Sequence, residues 1–142
     1  MKHNPAWLAA GLLVFVVLAC NFSAGTNSNS GPISKITMAK DNGSGAPGDE
    51  TNTFHPDDHK LHCLVTLKDP KEGTKVTFVW WIVDAGGTKD EKLKTLDYTT
   101  ESADVKVVHG NLSTQRDWPA GKYKVEAQVN GNTEKTVSFV VE

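Results

Sequence analysis

The run Phe54-His55-Pro56-Asp57-Asp58-His59-Lys60-Leu61-His62-Cys63 gathers most of the chemically capable side chains of this 142-residue chain. Imidazole, carboxylate and thiolate are the donors that zinc and copper take, so His55, Asp57, His59 and His62 are the candidate metal ligands. Their spacing argues against a preformed site. Neighbours on a strand face opposite sides, so His62 points away from Cys63, which shares its face with Leu61. A site would need the turn before the strand to gather His55, Asp57 or Asp58, and His59. Pro56-Asp57-Asp58 more simply turns the chain into that strand. Metal binding is therefore the alternative reading of this segment.

No other residues form a catalytic set. Asp41, Asp49 and Glu50 have calcium-binding oxygens without the spacing of a calcium loop. Ser44 lies between two glycines but has no nucleophile elbow around it. Phosphate-loop and dinucleotide fingerprints are absent from the sequence. Lys, Asp and Glu are interspersed and the net charge is −2, so no basic stripe exists to neutralise phosphates and nucleic acid is excluded as a partner. The chain reads as a non-enzyme without a cofactor.

The elements that must position these residues are strands. Val, Thr, Trp and Tyr recur between Gly and Pro punctuation without any long amphipathic helical pattern. Strands are predicted over residues 33–39, 60–68, 76–83, 93–100, 105–112, 122–129 and 132–141, the fifth interrupted near Gly110, with residues 41–53 as a loop. Asn130-Gly131 marks a two-residue hairpin, because both central residues need positive φ. About seven antiparallel strands at this spacing predict an all-β, two-sheet sandwich.

Trp80 and Trp81 must point to opposite faces. Val76, Phe78, Trp80 and Ile82 form an apolar set, which assigns Trp80 to the core. Val79, Trp81 and Val83 then lie outward, and contiguous outward apolar groups often mark an interface. These three are the candidate partner-binding residues. Cys63 is read as a buried, inert thiol.

The beginning of the chain is an address. Lys2 and His3 precede an apolar run too short to span a bilayer comfortably, which has the form of an export signal. Val17-Leu18-Ala19-Cys20 resembles the lipobox of bacterial lipoproteins, with Leu18 as a mild departure. That resemblance implies a signal peptide over residues 1–19 and a covalent lipid on Cys20, the only attached group expected. Asn21 stands where an Asp commonly signals inner-membrane retention, which leans toward an outer membrane if the host has one. Residues 20–32 then comprise the lipidated Cys and a flexible Ser/Asn/Gly tether, and residues 33–142 form the domain.

Phe54-x-Pro-x-Asp58, Gly73-Thr74-Lys75-Val76 leading into the Trp strand, Trp118-Pro119-x-Gly121-x-Tyr123 and the closing Phe139-x-Val141 occur in that order. Together they resemble an immunoglobulin-like β-sandwich of bacterial exported and lipid-anchored proteins. The resemblance implies a tyrosine corner at Tyr123, supported by Trp118 and Gly121, with Trp80 in the core. An antibody domain would pair Cys63 with a cysteine two residues after that Tyr; Val125 stands there, so no bridge is available. The implied function is a lipid-anchored, extracytoplasmic binding or scaffold module of the cell envelope, held to the membrane by its lipid and facing a protein or envelope partner.

Overall fold

Alternation of apolar and polar residues along each strand separates an inner from an outer face, and two such sheets close on each other. The computed structural model describes residues 31–142. The predicted signal peptide, Cys20 and all but the last two tether residues lie outside the described residues. Nine strands follow: β1 (Ile33–Asp41), β2 (Pro47–Glu50), β3 (Thr53–Phe54), β4 (Lys60–Leu67), β5 (Lys75–Ala85), β6 (Thr88–Thr99), β7 (Val107–Ser113), β8 (Gly121–Val129) and β9 (Asn132–Val141). One sheet has the order β2-β1-β4-β7 and the other β3-β9-β8-β5-β6. All neighbours are antiparallel except β3 and β9.

The seven predicted strands are present, six with shifted ends and the last, β9, over the predicted residues. The two additional ones, β2 and β3, fall within or at the end of the predicted loop over residues 41–53. β2 folds back onto the end of β1. β3 lies parallel to β9, flanked by the bonds Val140 N–H to Asn52 O and Glu142 N–H to Phe54 O. Neither has the length or alternation to be read as a strand. Asn130 and Gly131 both take positive φ, at 49° and 89°, as the two-residue hairpin requires.

The core lies between the sheets. Met38, Leu61, Cys63, Val65 and Val108 from one sheet face Phe78, Trp80, Tyr123, Val125 and Phe139 from the other. Phe139 is its aromatic centre. Tyr123 stacks on it at 5.2 Å between ring centroids, while Phe54 and Trp80 meet it edge-on at 5.5 and 6.2 Å. Offset and edge-on pairs of this kind add to the free energy of burial.

The predicted interruption at Gly110 does not occur, because β7 runs straight through it, paired with Cys63 of β4. Gly110 faces inward under Phe78, and a Cβ there would lie 2.9 Å from that ring. The glycine is thus a packing requirement. Gly110→Val should lower stability by about 1–3 kcal/mol through overpacking, read as a fall in the urea midpoint. Combining a smaller residue at Phe78 with Gly110→Val should cost less than the sum of the two single changes.

Candidate functional site

The His55–His62 segment enters β4 through a turn that Asp58 closes. The Asp58 carboxylate accepts the His55 backbone N–H at 2.7 Å and pairs with Lys40 at 2.9 Å. The turn then receives the tryptophan of the later corner. Trp118 donates its backbone N–H to Pro56 O and its indole N–H to Asp58 O, both at 2.9 Å. Four residues on from Pro119, the Tyr123 hydroxyl donates back to the Pro119 carbonyl at 2.6 Å. Gly121 lies between them, where a Cβ would fall 2.3 Å from Asp84 O. Phe-x-Pro-x-Asp and Trp-Pro-x-Gly-x-Tyr are therefore two halves of one joint.

That joint disperses the predicted metal ligands. His55 Nδ1 lies 3.2 Å from Glu142 O, at the end of the chain. His59 pairs with Asp117 at 2.9 Å. Asp57 turns with the loop, and His62 sits on the far face of the sheet. Among the described residues no three His, Cys, Asp or Glu side chains converge as a metal site. Cys63 is buried, and desolvation pushes its thiol up to about 12, so thiolate chemistry is suppressed at neutral pH.

His62 has a different setting. It faces away from the core yet is fully buried. Its Nε2 lies 2.8 Å from Asp41 Oδ1, and its Nδ1 lies 2.6 Å from His109 Nε2. Asp41 and His62 come from neighbouring strands, and His109 is diagonal to His62 on β7. An ionised carboxylate only accepts, so the Asp41 hydrogen bond is donated by His62 Nε2–H. His62 Nδ1 and His109 Nε2 share one hydrogen bond, whose direction follows the tautomers of the two rings. The result is a connected chain, Asp41 to His62 to His109, that uses Nε2 of His109 and both ring nitrogens of His62.

The Asp41 loop secures the chain's inner end. Asp41 Oδ2 accepts the backbone N–H groups of Gly43 and Gly45 at 2.8 and 3.2 Å. The hydrogen bond from His62, helped by these two amides, holds the Asp41 carboxyl below its ordinary range despite some opposing desolvation. Partial burial, aided by the nearby charges of His62 and Lys60, pushes His109 below its ordinary value. At its outer end His109 lines a cavity of about 270 Å³ with Phe78, Lys94, Leu96, Asp97, Tyr98, Gly110 and Asn111. This cavity opens between β6 and β7, the last strands of their respective sheets. Sequence reading missed His109 altogether, because only strand pairing brings it beside His62.

On the other sheet, Trp81 lies outward with Lys92 of β6 on one side and Lys124 of β8 on the other. Both ammonium groups sit over its ring, at 5.3 and 5.4 Å from the centroid. Val79 is buried at 4% exposure, contrary to its expected place in an open apolar patch. The register puts Glu126 and Thr95 beside it, and Lys124 pairs with Glu126 at 2.9 Å. Val83 is half-buried at an irregularity where Ile82 and Asp84 shift register against β8. Trp80 is 1% exposed. The outer face is thus an aromatic held among charged stems, narrower than the apolar strip expected from alternation.

Among solved structures, an immunoglobulin-like protein from Pseudomonas aeruginosa, PA1606, superposes with a TM-score of 0.52 at 10% identity. The match covers 76% of this chain and 92% of that one. The fold is immunoglobulin-like. No protein-family model matches the chain, and no curated protein matches it significantly. At that identity the likeness shows the fold and nothing of the site. The immunoglobulin-like sandwich here has Cys63 in one sheet and Val125 in the other, both buried.

The histidine chain sets a pH dependence. Because the folded state holds His109 below its ordinary value of 6.5, the unfolded chain takes up that proton first. This contribution to stability is full above that pH and declines as pH falls through it. Asp41 adds a second loss below its ordinary value of 3.8. Melting temperatures measured from about pH 8 down to about pH 5 should fall through the histidine range, and His109→Gln should flatten that fall.

Proposed function

We propose that the chain is a lipid-anchored, non-catalytic binding module of a bacterial cell envelope. Acyl chains on Cys20 hold it, residues 20–32 give reach, and the rigid sandwich presents the outer face around Trp81 to a protein or envelope partner. Each buried methylene contributes about 0.8 kcal/mol, so two or three chains anchor stably where one would not. A tether of about a dozen residues reaches on the order of 20 Å. If the host has an outer membrane, that is the favoured location.

The observation that carries the partner-facing role is Trp81, half-buried between Lys92 and Lys124 on the outside of the larger sheet. Tryptophans in such partly desolvated positions commonly supply much of an interface's binding energy. The flanking lysines keep the face soluble and favour a partner that brings carboxylates. Val83 supplies further half-buried apolar surface beside it.

Two measurements test the anchor and the face separately. Cells expressing the full chain should incorporate labelled palmitate into it, and Cys20→Ala should abolish both labelling and membrane fractionation. Trp81→Gln should leave the protein folded, lowering its stability by no more than about 1–2 kcal/mol through the lost ring contacts, read from the urea midpoint. The same variant should abolish a cross-linked envelope complex; an unchanged complex would remove Trp81 from the interface.

A further inference from the structure

Ile82 and Tyr123 are cross-strand neighbours on the inner face of the larger sheet. Trp118 meets the Tyr123 ring edge-on and Pro119 O takes its hydroxyl, so the loop between β7 and β8 closes over that pair. A cavity of about 320 Å³ remains between this loop and β6. Tyr123 and Trp118, both buried, form its floor. Their polar ends are already bonded to backbone carbonyls, which leaves the floor apolar. Ile82, Leu93 and Pro119 carry the apolar wall that stays accessible. Leu93 owes its place to a bulge. Trp80 pairs with Lys94 and Trp81 with Lys92, so Leu93 is the extra residue between them. Bulges at sheet edges re-aim side chains, and this one leaves Leu93 on the cavity wall at 38% exposure.

The rim is polar and carries both signs of charge. Thr114, Arg116 and Asp117 line it from the one loop. Arg116 is the only arginine of a chain that otherwise uses lysine. It forms no ion pair among the described residues, not even with the adjacent Asp117. A guanidinium presents a planar fork that matches a carboxylate. Thr114 Oγ1 accepts the Arg116 backbone N–H at 3.2 Å, and its own hydroxyl proton remains to be donated. Asp117 Oδ1 lies 2.9 Å from His59 Nε2, which leaves Oδ2 as an acceptor at the rim.

We propose that this cavity binds a free apolar α-amino acid of leucine or phenylalanine size. Its side chain lies against Leu93, Ile82 and Pro119. Its carboxylate takes the Arg116 fork and the Thr114 hydroxyl, and its ammonium is received by Asp117. Opposite charges side by side above an apolar hollow complement a zwitterion that carries an apolar group. A purely anionic or cationic ligand of the same shape would bring its charge against a like charge on the rim. The position also suits a solute. The chain enters the described domain where Ile33 pairs with Leu67, at the end of β4, whereas the crossing loop adjoins the start of β4 through Thr114 N–H to His59 O at 2.9 Å. The eight residues of β4 put about 25 Å between the two.

This inference goes beyond the binding-module reading and uses the face of the larger sheet opposite to Trp81. The probe is L-leucine, titrated into the full chain in detergent and followed by backbone amide shifts. Saturable shifts should cluster at residues 82, 93 and 114–118. Isocaproate, which lacks the ammonium, and isopentylamine, which lacks the carboxylate, should each bind about tenfold more weakly. These two analogues test the rim charges on the unaltered protein, whatever a variant does to folding. Arg116→Gln, Asp117→Asn and Leu93→Ser should each weaken L-leucine by about tenfold without moving the urea midpoint. Arg116 has a competing role as a solubilising charge beside the exposed Leu93. If Arg116→Gln leaves the leucine titration unchanged, that role stands alone and the proposal falls. Isocaproate or isopentylamine binding as tightly as leucine also overturns it, as do shifts that are absent or spread over other surfaces. Loss of the Trp81-dependent complex would leave these titrations unaffected, so the two readings fail independently.

Discussion

The structure depends most on how the chain crosses between its sheets after β7. Leaving one sheet at Ser113 and entering the other at Gly121, it must reverse within a few residues and keep its backbone polar groups satisfied. Tyr123 closes the far side by donating to Pro119 O, and Trp118 closes the near side on Pro56 and Asp58. Both rings are also core material, with Trp118 edge-on to Tyr123 at 5.8 Å and Tyr123 stacked on Phe139. Buried aromatic rings whose polar ends find backbone partners gain from burial without leaving a polar atom orphaned. The joint thereby ties the segment before β4, the crossing loop and the start of β8 into one unit.

The parts of this architecture that were legible in sequence are those written in local pattern. Period-two alternation located β4, β5, β8 and β9, and Asn130-Gly131 identified the last hairpin. β2 and β3 were not legible, since a four-residue and a two-residue strand have no period to detect. Gly110 illustrates a more instructive error. A glycine in a strand reads as a break, but here the cause is Phe78 pressing from the opposite sheet, a contact that no local window contains.

The same distinction divides the two candidate surfaces. The histidines and carboxylates near residue 55 were conspicuous because they are close in sequence, yet turn closure and docking of Trp118 explain how they are arranged. Asp41, His62 and His109 are far apart in sequence, and strand register alone unites them. Trp81 was correctly separated from Trp80 by alternation. How much of its apolar surroundings stays open depended on which side chains its neighbours carry, and those neighbours are Lys92, Lys124 and Glu126.

Val125 occupies the place where a covalent staple would meet Cys63, and its consequence is chemical independence. Among the described residues, cohesion between the layers comes from packed hydrocarbon and aromatic surface and from the Trp118 joint, with the Cys63 thiol sealed inside beside Met38 as one more apolar group. Such a body needs no oxidase to mature. Among the described residues thiol reductants have no crosslink to cut, so the packing between the layers does not hang on a disulfide.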